Sequence, residues 1–138
     1  MATPFFSIVI PVYNGITNDL PKCLDSIWGQ SLDKKLYEVI CVDDCSTDNT
    51  RQWLKKECER HSNLHIIEND TNIRQGGSRN KGVKAEQGKY LIFIDQNVSH
   101  WNKRLFLLLR QYTSKINENR GDIRRNYRKF LYFTVSCP

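Results

Sequence analysis

The sequence predicts an α/β fold, a mostly parallel sheet flanked by helices in the order βαβαβαβ. Three observations carry this reading. Short β-rich apolar runs alternate with stretches of helical periodicity over the first hundred residues. The connections between runs are long enough for the crossovers that parallel pairing requires. Polar or acidic residues follow three of the four runs, and ligands of such sheets sit beyond the carboxyl ends of the strands.

The elements follow in order. Residues 5–12 (FFSIVIPV) are a compact apolar run that fits a strand buried on both faces. Leu20, Cys23, Leu24, Ile27 and Trp28 fall at i, i+3, i+4, i+7 and i+8, an amphipathic helix with Pro21 in its first turn and Gly29 at its end. Residues 36–42 (LYEVICV) read as the second strand. Ser46 or Thr47 caps a helix that runs to about His61, with Trp53, Leu54, Cys58 and His61 on one face. Residues 64–67 form a short third strand, and residues 69–78 are polar and turn-rich around Gly76-Gly77. A helix through Asn80, Val83 and Ala85 follows and ends near Gly88, and residues 90–94 (YLIFI) are the fourth strand. In the tail, Leu105, Leu108, Leu109, Tyr112 and Ile116 form one helical stripe, and residues 130–135 fit a strand.

Length and composition bound the function. A chain of 138 residues, 39% hydrophobic and 26% charged, is one domain able to bury a core unaided. No apolar run approaches a membrane span, and no secretory leader is expected. The five cysteines match no zinc spacing and read as reduced thiols in a cytoplasmic protein. His61, His65 and His100 lack ligand spacing, and Trp28 and Trp53 lie on core-facing stripes. The net charge of +6 divides unevenly. Residues 1–101 carry 12 Lys and Arg against 13 Asp and Glu, whereas residues 102–138 carry 9 against 2. The body is electrically ordinary, so nucleic-acid binding does not follow from the overall charge.

The turn after the first strand reads Pro11-Val12-Tyr13-Asn14-Gly15, not GxGxxG, and no Walker loop is present. Asp43-Asp44 follows the second strand and Asp95-Gln96-Asn97 the fourth. Carboxylates repel phosphate, so at this rim they accept hydrogen bonds from a base or ribose, or hold a cation that bridges to phosphates.

Four stretches, FSIVIPVYN (6–14), VICVDDCSTDNT (39–50), NIRQGGSRNKG (72–82) and GKYLIFIDQN (88–97), together resemble glycosyltransferase family 2 and its Rossmann-like GT-A fold. The order and spacing of all four make the resemblance specific, and it covers residues 5–97. It implies a nucleotide-sugar-binding half at residues 1–97 and a divergent basic tail at 98–138. It further implies that Pro11, Tyr13 and Asn14 line a nucleotide pocket. Asp44 meets the base with Asp43 in support, and Asn72, Arg74, Gly76, Gly77, Arg79 and Asn80 wrap the nucleotide. Arg79 or Arg74 faces the diphosphate or the base edge. Asp95 opens the family's DxD motif toward ribose and a Mg²⁺ or Mn²⁺ ion, with Asn97 at the second metal position. The implied reaction moves a sugar from a UDP-sugar to an acceptor hydroxyl on a glycan or a lipid-linked acceptor, in polysaccharide or cell-surface glycan assembly. The implied location is cytoplasmic, with peripheral membrane contact through the basic tail.

Two departures from the pattern accompany the resemblance. The family reads Asp-x-Asp-Asp where this chain has Asp95-Gln96-Asn97-Val98, and an amide oxygen is a poorer partner for a hard cation than a carboxylate. Beyond residue 97 the only carboxylates are Glu118 and Asp122, and neither matches a motif that would identify the general base of the transfer. The alternative expectation is therefore a truncated nucleotide-binding remnant without turnover. A change of reading frame near residue 97 would produce such a tail, and the rival is a short member whose tail helix belongs to the fold.

Overall fold

The structure is a computed structural model and describes residues 3–99, 102–119 and 129–132, with side chains as far as residue 115. The strands are β1 (Phe6–Val12), β2 (Tyr37–Asp43), β3 (Leu64–Glu68), β4 (Tyr90–Phe93) and β5 (Lys129–Tyr132). All pair in parallel in the order β3-β2-β1-β4-β5. The helices are α1 (Leu20–Trp28), α2 (Thr50–Arg60), α3 (Arg74–Ala85) and α4 (Leu105–Asn119). Among the described residues no helix is long and apolar enough to cross a membrane.

Every residue of β1 and β2 is buried, as parallel strands covered on both faces require. The two faces have separate cores. Phe6, Ile8, Ile10, Val39, Cys41 and Ile92 pack with Leu20, Leu24 and Ile27 of α1, Leu54 of α2 and Phe106 of α4. Val9, Ile40, Val42, Leu91 and Phe93 face the other way, with Val83 of α3 against them. Gly82 lets α3 approach there, since a Cβ would lie 2.3 Å from a methyl of Val9.

Two helix starts differ from the sequence reading. Helix α2 begins at Thr50, where Asp48 accepts from the Thr50 backbone N–H at 2.9 Å. Ser46 and Thr47 are instead drawn to the strand ends, to Asp43 and Asn14. Helix α3 starts at Arg74, so Gly76-Gly77 lies in its first turn instead of a loop. Asn72 Oδ1 takes the Arg74 N–H at 3.1 Å and starts the helix early. In the tail, α4 forms over the predicted span, but its buried face is Phe106, Leu109 and Thr113, whereas Leu108 and Tyr112 of the expected stripe are exposed. The expected strand appears as β5 over Lys129–Tyr132, and residues 133–135 lie outside the described residues. Phe106 of α4 is fully buried against Phe6 and Tyr37, and its N–H donates to Gln30 Oε1 at 3.0 Å.

Candidate functional site

The sheet has its topological switch between β1 and β4, because the chain runs outward through β2 and β3 and then returns to the far side of β1. β4 pairs with β1 only as far as Val9, so Pro11 and Val12 project past the end of β4. Pro11 is buried in β1 opposite Val42, and without an N–H it cannot continue the ladder toward the β4 side, where the pairing stops. In sheets of this kind the ligand crevice lies at such a switch point, outside the carboxyl ends of the strands.

Backbone strain collects at this rim. Among the described residues, the non-glycine residues in the left-handed region are Asn14 (φ 48°), Cys45 (61°) and Arg74 (64°), which follow β1, β2 and β3 respectively. Asparagine tolerates the left-handed region better than cysteine or arginine. Strain of this kind persists where surrounding contacts over-determine the loop.

The two adjacent aspartates serve different ends. Asp43 is fully buried, paired with Arg51 Nε and hydrogen-bonded by the Ser46 hydroxyl. The hydrogen bond to Asp43 pushes the Arg51 guanidinium further up. Arg51 also donates from Nη2 to the backbone carbonyl of Asn69, and so ties α2 to the ends of β2 and β3. Asp43 is thus consumed in holding loops. Asp44 is nearly as buried, but its contacts are one-sided. Oδ1 accepts from the Ile73 N–H at 2.8 Å and from Asn69 Nδ2 at 3.0 Å. Among the described residues no donor reaches Oδ2. One oxygen is pinned and the other is left to accept.

The remaining site candidates divide between lacing and exposure. Asn14 accepts the Thr47 N–H on Oδ1 at 2.8 Å and gives its own N–H to Ser46 Oγ at 2.9 Å, which laces the β1 loop to the β2 loop. Tyr13 is 41% exposed, and its backbone is held across the crevice by Gln96. Tyr13 N–H donates to Gln96 Oε1 at 3.1 Å, and Gln96 Nε2 donates to the Tyr13 carbonyl at 2.9 Å. Asn72, Arg74, Gly76 and Asn80 are exposed at the start of α3, whereas Gly77 sits against Ile73. The Arg79 guanidinium lies 5.9 Å from the centre of the Phe93 ring, and its buried Nε has no hydrogen-bond partner among the described residues.

The end of β4 is sparser. Asp95 Oδ1 accepts the Asn97 N–H at 3.1 Å, Asn97 is exposed, and Val98 turns inward. Below them Cys23 donates to the Asp95 carbonyl, and burial, with Asp95 adding to it, pushes this thiol up to about 12. A resident divalent cation wants several hard oxygen ligands. Here one carboxylate is partly engaged and its neighbour is a neutral amide. Among the described residues no cluster of three or more His, Cys, Asp or Glu could hold a metal. These residues do not fit a metal held by the protein alone.

Comparison with known proteins decides the family. The profile of glycosyl transferase family 2 matches residues 7–115. This chain belongs to glycosyl transferase family 2. The match runs past residue 97 into α4. A poly(ribitol-phosphate) beta-glucosyltransferase of Bacillus spizizenii is 40% identical over 119 residues, which is 85% of this chain and 18% of that protein. The first 349 residues of Staphylococcus aureus TarS, solved with UDP-GlcNAc, superpose with a TM-score of 0.73 at 31% identity, over 80% of this chain and 31% of that one. A mannosyltransferase of Pyrobaculum calidifontis, solved with GDP-Man and Mn²⁺, shares the fold with a TM-score of 0.66 at 23% identity, over 75% of this chain and 30% of that one. The chain therefore spans less than a third of the length of each of these relatives. The Rossmann-like GT-A architecture expected from the motifs is the one found. A divalent metal accompanies the fold in a structural neighbour, although the β4 end of this chain is poorly equipped for it.

Sequence reading gave Ser46 only a helix-capping role and assigned no site role to Arg51, Asn69, Ser78 or Gln96. Ser46 and Gln96 lie inside quoted motifs, and their polar side chains next to a strand end were a usable signal. Arg51 is the second residue of α2 and looks like any exposed helical arginine until the buried Asp43 beside it is seen. Asn69 and Ser78 are 0% exposed, and nothing in a polar loop sequence announces a buried amide.

Proposed function

We propose that this chain binds a nucleoside-diphosphate sugar at the β1–β4 crevice, with UDP as the nucleotide, as the donor half of a glycosyl transfer to an acceptor hydroxyl. The observation that carries this is Asp44. A buried carboxylate with one oxygen pinned and the other unpartnered reads an N–H donor at a fixed point, and a uracil ring offers one. Tyr13 and Pro11 then border the base. Asn72, Arg74, Gly76, Gly77 and Asn80, at the exposed start of α3, border the ribose and diphosphate with the help of the α3 N-terminus. Arg79 supplies a positive charge near Phe93, on the diphosphate side. Asp95 approaches the ribose. The similarity to TarS, solved with UDP-GlcNAc, supports the choice of nucleotide. The similarity to a poly(ribitol-phosphate) glucosyltransferase supports a surface polysaccharide, or its lipid-linked precursor, as the acceptor.

The division at residue 97 is one of chemistry, with rim residues before it and a scaffold of α4 and β5 after it. The four cysteines among the described residues are unpaired, in keeping with a reducing, cytoplasmic setting. The basic tail suits contact with an anionic inner membrane face.

A second reading, nucleotide binding without turnover, is favoured by Asn97. Calorimetric titration of UDP with and without Mn²⁺ tests both readings. Binding in the absence of metal is expected, and Asp44→Ala should weaken it at least a hundredfold. No UDP binding under either condition would overturn the site. Slow release of sugar from UDP-glucose or UDP-GlcNAc would exclude the second reading.

A further inference from the structure

Asn69 follows β3 directly and is completely buried where four parts of the rim meet. Its Nδ2 donates to Asp44 Oδ1 at 3.0 Å and to Ser78 Oγ of α3 at 3.1 Å. Its backbone N–H donates to the Asp43 carbonyl at 2.8 Å, and its own carbonyl receives Arg51 Nη2. Its side-chain Oδ1 is buried without a hydrogen-bond partner among the described residues.

The amide can sit only one way round. Reversed, it would set Oδ1 against the Asp44 carboxylate oxygen that Nδ2 now satisfies. An unpaired buried acceptor is costly. A leucine here would fill space without that cost, so the residue is not explained by packing. What the amide does is hold Asp44. With Asn69 Nδ2 and the Ile73 N–H both on Oδ1, the carboxylate cannot rotate without breaking two hydrogen bonds. Oδ2 is thereby fixed in one direction.

We propose that Asn69 is a positioning residue that sets which pyrimidine the site accepts, by locking Asp44 so that Oδ2 demands a ring N–H at one place. The inference rests on the reading of Asp44 as the base-binding carboxylate. Uracil carries a hydrogen on N3, and cytosine has a lone pair there. A freely turning carboxylate would also accept from the exocyclic amine of cytosine, whereas a locked one rejects that base.

The experiment is calorimetric titration of UDP and CDP into the wild-type chain, Asn69→Ala and Ser78→Ala, with thermal melts of each. Wild type should prefer UDP by at least tenfold. Asn69→Ala should cut that preference to threefold or less, chiefly by losing UDP affinity. Ser78→Ala frees the far side of the amide and should lower the preference by at least threefold. It carries the test by itself if Asn69→Ala does not fold. Equal weakening of both nucleotides would show a merely structural role and overturn the proposal, as would an unchanged preference in a folded variant. Wild type binding UDP and CDP alike would overturn the role of Asn69 while leaving nucleotide binding in place. Wild type binding neither would overturn the reading of the site itself.

Discussion

The two halves of the rim are built to different standards. Behind β2 and β3, Asp43, Asp44, Ser46, Arg51, Asn69 and Ser78 form a buried network in which each side chain fixes another. At the end of β4, Asp95, Gln96 and Asn97 make short-range turn contacts, the Gln96 bridge to the Tyr13 backbone and a thiol contact from Cys23 to the Asp95 carbonyl. Under the proposed function, the first half would hold the base and the second, with less charge, would face the diphosphate. Binding and turnover would then draw on different halves, so that one could be intact where the other is weak.

The largest effect expected from breaking this contrast falls on stability. Arg51→Met leaves Asp43 buried with its countercharge gone and frees the Asn69 carbonyl. Breaking a buried ion pair costs about 3–5 kcal/mol. Arg51 keeps some solvent exposure, which puts the expected loss near the lower end of that range. Urea denaturation measures it. A loss below about 1 kcal/mol, within the range of an ordinary surface pair, would mean that the network does not organise this half.

The next effect sharpens the contrast from the other side. Asn97→Asp restores a second carboxylate beside Asp95 and should make UDP binding respond to Mn²⁺. About tenfold tighter binding with the ion, or ~1.4 kcal/mol, is expected where wild type shows little change. No gain would place the defect elsewhere at the end of β4, with Val98 the first residue to examine.

How much of this was legible in the sequence follows from which forces act locally. β1, the α1 stripe and the alternation of strands and helices along the chain were readable because apolar periodicity and crossover length are local signals. The acidic pair and the Asp95 turn were readable as a site because parallel sheets put strand ends together. The division of labour between Asp43 and Asp44 was not readable. It depends on Arg51 from one helix and on Ile73 and Asn69 from a distant loop. The start of α3 was misjudged because glycines signal a turn, whereas here Asn72 initiates the helix ahead of them. The docking face of α4 was misjudged because its run of leucines fits more than one stripe: the expected one took in Leu108 and Tyr112, which are exposed, and left out Phe106, which is fully buried.

The smallest effect concerns the strain held in the well-built half. Cys45 sits between Asp44 and Ser46 with φ at 61°, and its thiol makes only a long contact, 3.5 Å, to the Asp70 carbonyl. A left-handed conformation costs a residue with a Cβ roughly 1–2 kcal/mol. Glycine avoids that cost but loses more chain entropy on folding, by roughly 0.5–1 kcal/mol. Cys45→Gly should therefore stabilise the chain by about 0.5–1 kcal/mol, read as a higher denaturation midpoint. UDP affinity measured on the same protein gives the result its meaning. Unchanged affinity would show that the network around Asp43 and Asp44 holds the turn whatever residue occupies it. Weaker binding alongside a higher midpoint would show that the stiffness of Cys45 itself helps to aim Asp44, and that this half of the rim is organised by backbone strain as well as by hydrogen bonds.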